Sequence, residues 1–472
     1  MSIRDRLRQV EQKRQVNHAI ESVDSAKKAD MSMLTRDARQ ESSLVQNTTF
    51  QEIKARCQKK AAEDEAFYEA DSTETRQELR PRLEVLVRET ASDMGYPLSE
   101  IEVRQLGVEL LDEIYGLGPI EPLLADPTIS DILINGYKQI YVERGGQLEL
   151  TDVRFISEEH LRNKVDRMLY TTGRRVDESS PLVDSRLPDG SRINIIIPPL
   201  AVDGISVSIR RFPEQHLRPK DLIAFGSMTE QMYQFLDYAV KAGLNILVCG
   251  GTGSGKTTTL NMLSGLIPEN ERTVTIEDSA ELRMQQAHVV RLETRPPNAE
   301  GVGEVTQREL LKNALRMRPD RIVLGEVRGG EVLDMLQAMN TGHDGSLATL
   351  HANSPRDSIA RLELMINLSG VDIPAASIRK QIASAIDLII YVNRGKDGKR
   401  RVESITEVVG VEEENVVLQE VYVFEYREID PITGQMKGAF RATGLRPACG
   451  KKCEAVGYRL PQDLFNFVQE VG

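Results

Sequence analysis

The segment LNILVCGGTGSGKTTTLNMLSGLI, residues 244–267, constrains the fold more than any other stretch. Ile246-Leu247-Val248-Cys249 is an unbroken apolar run of strand length, the pattern of a strand buried on both faces. KTTTLNMLSGLI reads as a helix stopped by Pro268. Between them, Gly250, Gly255, Lys256 and Thr257 satisfy G-x-x-x-x-G-K-[ST] in full. A loop this rich in glycine can fold back and aim its backbone N–H groups at one point. The helix N-terminus adds a dipole that favours an anion there. The expected nucleotide-binding residues are Gly250, Gly251, Thr252, Gly253, Ser254, Gly255, Lys256, Thr257 and Thr258. Lys256 should reach the outer phosphates and the Thr257 hydroxyl a magnesium ion.

Strands and helices alternate from Met228 to about Arg394, which predicts an α/β domain with a mostly parallel sheet. Such sheets bind ligands at the C-terminal ends of their strands. Two later strands end there in acids. RTVTIEDSAEL alternates Val274 and Ile276 with threonines and ends at Glu277-Asp278. These acids suit holding magnesium, directly or through water, or orienting an attacking water. The plainer reading is that Asp278 caps a helix over SAEL. RIVLGEVRGG then places Gly325 and Glu326 where a P-loop ATPase usually carries a magnesium-binding aspartate. With Thr257, Glu277 and Asp278 serving the metal, Glu326 is free to polarise water for in-line attack. Glu326, Glu277 and Lys256 are the catalytic candidates, and Arg328 is a candidate sensor of the nucleotide. MNTGHDGSLATLHANSPRD sets His343 in a glycine-rich turn and His351 at a strand end before Ser354-Pro355. Both are expected at the ligand edge, where a neutral imidazole can bond phosphate oxygens. NKVD, Asn163–Asp166, imitates a guanine-reading motif, but it precedes the phosphate loop and lies on the polar face of a helix. ATP is therefore expected rather than GTP.

A chain of 472 residues has room for roughly three domains at about 150 residues each. The net charge of -12 and the absence of Trp argue against a nucleic-acid binder, which needs cationic contacts and stacking surfaces. Residues 1–60 differ: they carry 13 Lys/Arg against 8 Asp/Glu, leaving the remainder at -17. This basic arm could touch an anionic membrane, or be no more than a solvated, partly disordered tail. Four cysteines in so long a chain fit a reducing compartment. Cys449 and Cys453 lack neighbouring ligands for zinc, so no metal other than magnesium is expected. Neither a signal peptide nor an apolar run of about 18 residues is present.

The pattern along the chain predicts a basic, frayed or disordered arm over 1–45 and a helical region over 46–115. Short strands with turns at Asn135-Gly136, Gly145-Gly146 and Asp189-Gly190 predict a small α+β domain over 116–212. A linker (213–227) leads to the ATPase core (228–394). An extension (395–472) is expected to carry β-like runs and a terminal helix.

Four segments in order resemble the signatures of the type II/IV secretion system ATPase superfamily. GGTGSGKTTT resembles its Walker A, TIEDSAEL its Asp box, RIVLGEVRGGE its atypical Walker B and TGHDGSLATLHANS its His box. The likeness is greatest to the CpaF-like branch, the Tad pilus motor, and covers about residues 75–445. It implies a RecA-like motor domain preceded by a PAS-like α+β domain, a ring-shaped hexamer, and nucleotide held between the two domains. It implies a cytoplasmic protein held at the inner membrane by platform proteins, driving pilus assembly or retraction by ATP hydrolysis. It also implies arginines of the smaller domain near the phosphates, for which Arg186, Arg192, Arg210 and Arg211 are the candidates. By the same likeness Glu326 resembles the catalytic glutamate, Glu277 the acid near magnesium, and His343 and His351 the His-box pair. The motor core alone would allow a nucleic-acid translocase, against which the acidic charge and absence of Trp count, or an ATP-gated scaffold without turnover, against which the intact Lys256, Glu277 and Glu326 count.

Overall fold

The computed structural model describes residues 48–64, 67, 76–170, 172–211, 217–297, 302–429 and 436–471. The basic arm expected over 1–45 lies outside them. The chain divides into two compact units, residues 1–212 and 213–472.

In the first unit, helices Thr48–Glu63, Arg76–Asp93 and Glu100–Tyr115 each bury one apolar stripe. Ile53, Cys57, Leu83, Val87, Leu106 and Leu110 meet in their shared core. Ser99 and Glu102 cap the third helix reciprocally, side chain to backbone in both directions. Six strands follow: β1 (Ile129–Asn135), β2 (Gln139–Arg144), β3 (Gln147–Leu150), β4 (Leu182–Arg186), β5 (Arg192–Ile196) and β6 (Ser206–Arg210). They form one antiparallel sheet in the order β3-β2-β1-β6-β5-β4. Helix Glu158–Tyr170 covers it with Leu161, Val165, Met168 and Leu169, while Asn163 and Asp166 are exposed. A buried ion cluster joins this helix to the third: Glu113 Oε1 lies 2.7 Å from both His160 Nε2 and Lys164 Nζ. Burial would raise the Glu113 carboxyl, but the two partners overcome it and hold it at about 2.

The second unit is built on β7 (Ile246–Gly250), β8 (Thr273–Glu277), β9 (Val289–Glu293), β10 (Arg321–Val327), β11 (Leu347–His351), β12 (Leu388–Arg394), β13 (Arg400–Glu412), β14 (Asn415–Ile429), β15 (Met436–Ala442) and β16 (Val468–Val471). The order is β16-β15-β14-β13-β12-β7-β11-β10-β8-β9. Strands from β12 to β9 pair in parallel, and β12 to β16 pair antiparallel. The unbroken apolar run of β7 now has its explanation. Ile246 and Val248 enter one core, while Leu247 and Cys249 enter the core on the opposite face.

The extension after residue 394 is part of this same sheet. Its end differs from expectation: residues 468–471 are strand β16 on β15, not a helix. Residues 219–224, expected as linker, form a short helix with Pro219 at its start. Cys449 and Cys453 are buried, unpaired core residues, and burial pushes the Cys453 thiol up to about 11. Among the described residues no helix is long and apolar enough to cross a membrane.

Candidate nucleotide site

β7 ends at Gly250, where the chain must pass close to β12. A Cβ there would sit 2.2 Å from the Val392 carbonyl oxygen and 2.6 Å from Ser254 Oγ, so only glycine fits. Gly253 and Gly255 take φ of +68° and +100°, which curls the loop back before helix Lys256–Ser264 starts. Ser254 is buried and its hydroxyl has no partner among the described residues. Lys256 is also buried; its ammonium donates to the Gly251 carbonyl at 2.8 Å and reaches His351 Nε2 at 3.2 Å. Burial lowers its pKa. An anion at this loop would relieve that cost by pairing the charge.

Two strands bring acids to the same rim. Glu277 closes β8 and is buried; its Oε2 accepts the backbone N–H groups of Glu281 and Leu282 at 2.7 and 2.9 Å. Its Oε1 is buried without a hydrogen bond. Burial pushes this carboxyl up to about 7, despite the two amide bonds. Gly325 is what admits it: a Cβ at 325 would come within 2.9 Å of Glu277 Cγ. The residue that stands in place of the usual aspartate is thus a space left for a neighbouring strand's glutamate.

Glu326 is aimed by a bulge. β10 pairs Leu324 with Ala348 and then Val327 with Leu350, so β10 carries one extra residue at Gly325-Glu326. The Glu326 Oε2 accepts Arg328 Nε at 2.8 Å, and its Oε1 lies 3.0 Å from His351 Nε2 without a hydrogen bond. An ammonium has no acceptor, so Nε2 in contact with Lys256 must itself accept. It cannot also donate to Glu326. Burial and the Lys256 charge lower the His351 pKa, keeping the ring neutral at pH 7. Lys256, His351 and Glu326 thus form one contact chain.

The family model for "Type II/IV secretion system protein" matches residues 113–422. The chain belongs to this secretion family. With the phosphate loop intact, it is an ATPase. A Mycobacterium tuberculosis protein bearing a conjugal-transfer designation is 39% identical over 302 residues, 63% of this chain and 85% of its own length. The Bordetella pertussis type IV secretion system protein PtlH is 34% identical over 318 residues, 62% of this chain and 94% of its own. The solved VirB11 ATPase of the Brucella suis type IV secretion system, with sulphate, is 31% identical at a TM-score of 0.34, covering 61% of this chain and 92% of that one.

In this secretion ATPase the two histidines do not share an edge. β11 runs parallel to β7 with His351 opposite Gly250, at the loop. His343 precedes the strand and sits at its other end, beyond about 13 Å of strand. The expectation that both lie at the ligand edge fails because a parallel strand has only one C-terminal end. Asp278 does not cap a helix, since the segment after it is irregular. It accepts Gln307 Nε2 at 2.9 Å and lies 3.4 Å from Arg328 Nη1.

In the first unit, Arg186 pairs with Arg192 and Arg192 with Arg210 across β4, β5 and β6. Directly opposite residues share a face, so these three form one cationic row. Arg210 lies 3.9 Å from Asp131 at the row's end. Arg211 is different: its guanidinium bonds the Asp126 and Ile129 carbonyls and ties the start of β1 in place.

Sequence reasoning missed two residues of this ATPase. Glu331 folds back to accept the N–H groups of Arg328 and Gly329 at 2.6 and 2.8 Å, fixing the turn that presents Arg328. Arg400 donates from Nε to the Gly253 carbonyl at 2.9 Å, across 147 residues. A carboxylate three residues after an arginine-glycine turn could have signalled the first. Nothing local marks the second.

Proposed function

We propose that this secretion ATPase is the motor of a Tad-type pilus, working as a cytoplasmic ring of six copies. Inner-membrane platform proteins hold it at the membrane and take up its motion to add or remove pilin. The run from Leu292 to Asp357, close throughout to the CpaF-like branch, supports the pilus reading. The conjugal-transfer and type IV secretion relatives support the coarser secretion role. The antiparallel sheet with its covering helix takes the place of the PAS-like domain, and the basic arm is an added contact for an anionic membrane. No nucleic acid is required as partner.

The observation that carries the catalytic reading is the contact chain from Lys256 through His351 to Glu326. The outer phosphates of ATP draw Lys256 away from His351. The freed Nε2 can then carry a proton and donate to Glu326, fixing that carboxylate's direction. Glu326 orients and deprotonates the attacking water once Arg328 gives up its hold. Thr257, Glu277 and Asp278 fit a magnesium ion: the donors are all oxygen, and Glu277 has a buried oxygen in want of a partner. Magnesium there would neutralise charge on the β- and γ-phosphates. Arg186, Arg192 and Arg210 are the arginines suited to a transferring phosphoryl group, whereas Arg211 is occupied by backbone. His343, at the other end of its strand, is left for a contact outside its own loop.

Allelic replacement by Glu326→Gln tests the function. Surface filaments should vanish, while conjugation and protein secretion by the same cells continue. Filaments at the parental number would overturn the pilus reading. Loss of conjugation with filaments intact would move the motor to a transfer system.

A further inference from the structure

We propose that Arg400 is a positioning residue for the nucleotide: it clamps the phosphate loop in its binding shape. The loop works only if its N–H groups converge on one point, which requires its carbonyls to face outward. The Gly253 carbonyl is one of these, and Arg400 Nε donates to it at 2.9 Å. The Arg400 stem also lies against the loop's last glycine, where a Cβ at 255 would come within 3.3 Å of Arg400 Cδ.

The arginine is itself held by a built support. Its neighbour Arg401 pairs with Asp397 at 2.6 Å, with side chains only 1% and 2% exposed. The Arg401 guanidinium also stacks over Phe424 of β14 at 5.2 Å. Asp397 further accepts the N–H groups of Lys399 and Met436, tying the turn between β12 and β13 to β15. Alternation along β13 then sends Arg401 inward and Arg400 outward, over the loop. The Val392 carbonyl, on the same hairpin, closes against Gly250 at the loop's other end. The hairpin therefore grips both ends of the phosphate loop.

This inference rests on the nucleotide site above. Its test measures ATP hydrolysis against ATP concentration for the full chain, with thermal melting of each variant. Arg400→Ala should raise KM for ATP about tenfold, the worth of one charge-assisted hydrogen bond. The same variant should keep kcat within about twofold and melt like the parent, because one exposed contact that holds the loop's binding shape governs binding rather than chemistry. Arg400→Lys keeps a donor on a flexible stem and should regain most of the loss. An unchanged KM in Arg400→Ala, a fall in kcat at constant KM, or no recovery by Arg400→Lys would each overturn the assignment. Lys256→Ala run in parallel separates the two ideas: if it binds ATP normally, the nucleotide site is misplaced. If Lys256→Ala fails to bind and Arg400→Ala is normal, only the clamp is wrong.

Discussion

The parallel strands β7 and β11 end in two polar rims that follow opposite rules. At the N-terminal rim the charged groups are paired with one another, although Arg321 Nη1, Thr273 Oγ1 and His343 Nδ1 are buried without a hydrogen bond. Asn245 donates to Asp387 Oδ2 and the Ala385 carbonyl at 2.9 and 2.7 Å and accepts the Ser346 N–H at 3.0 Å. Asp387 takes Lys452 as a second partner at 2.7 Å, and Arg321 is held by both oxygens of Glu271. At the C-terminal rim the groups are left wanting. Lys256 is buried on a carbonyl and a neutral imidazole, and Glu277, Ser254 and Glu326 each keep a buried oxygen without a hydrogen bond. A buried polar group without its partner costs free energy. The ion pairs of the N-terminal rim stabilise the sheet; at the C-terminal rim it is the nucleotide-site groups themselves that carry the cost, which a bound phosphate would relieve.

Substitutions at the two rims should therefore separate binding from stability. Lys256→Ala should weaken ATP binding by at least about a hundredfold, since truncating one partner of a buried charge pair costs about 3 kcal/mol or more. The same change should leave urea stability near the parental value; calorimetric titration with ATP and a urea melt report both. Arg321→Ala should do the reverse. It leaves Glu271 without its partner and Arg321's buried space empty, at about 3 kcal/mol of stability. ATP affinity of the folded fraction should not change. Equal loss of binding in the two variants would erase the distinction between the rims.

Glu277 sharpens the contrast through pH. Its folded pKa, raised to about 7 by burial, exceeds the ordinary value of 4.5. Between those values the folded chain holds a proton that the unfolded chain releases. Stability therefore falls as pH rises through that window, by up to about 3 kcal/mol, with the loss complete above pH 7. Glu277→Gln should remove this slope. Urea melts in EDTA at pH 4.5 and 8 check it, and parallel curves for parent and variant would contradict it. The smallest effect should come from the histidines. His351→Ala should lower turnover about tenfold, the low end for a residue that orients a general base. His343→Ala should change the KM for ATP by less than about twofold, because it lies at the other rim and makes none of the loop's contacts.

Much of this was readable from residues alone. The G-x-x-x-x-G-K-[ST] pattern between an apolar run and a helix gave the loop, and short hydrophobic runs ending in acids gave β8 and β10. What escaped has physical causes. Gly325 reads as a missing aspartate because the side chain it makes room for, Glu277, lies 48 positions earlier on another strand. The bulge that aims Glu326 is a property of pairing between β10 and β11, not of either strand. Arg400 reaches the loop only because β12 lies beside β7 in the sheet. His343 could have been placed correctly: it precedes Leu347, and the residue before a parallel strand lies at the end opposite its ligand.

The proposed role of Glu326 is to act on water and not on nucleotide binding. Single-turnover hydrolysis of ATP with excess enzyme, run beside a binding titration for Glu326→Gln, tests it most directly. ATP affinity should stay within about threefold of the parent while phosphate release slows by about a hundredfold or more, the scale of a lost general base. Phosphate release at the parental rate would contradict it.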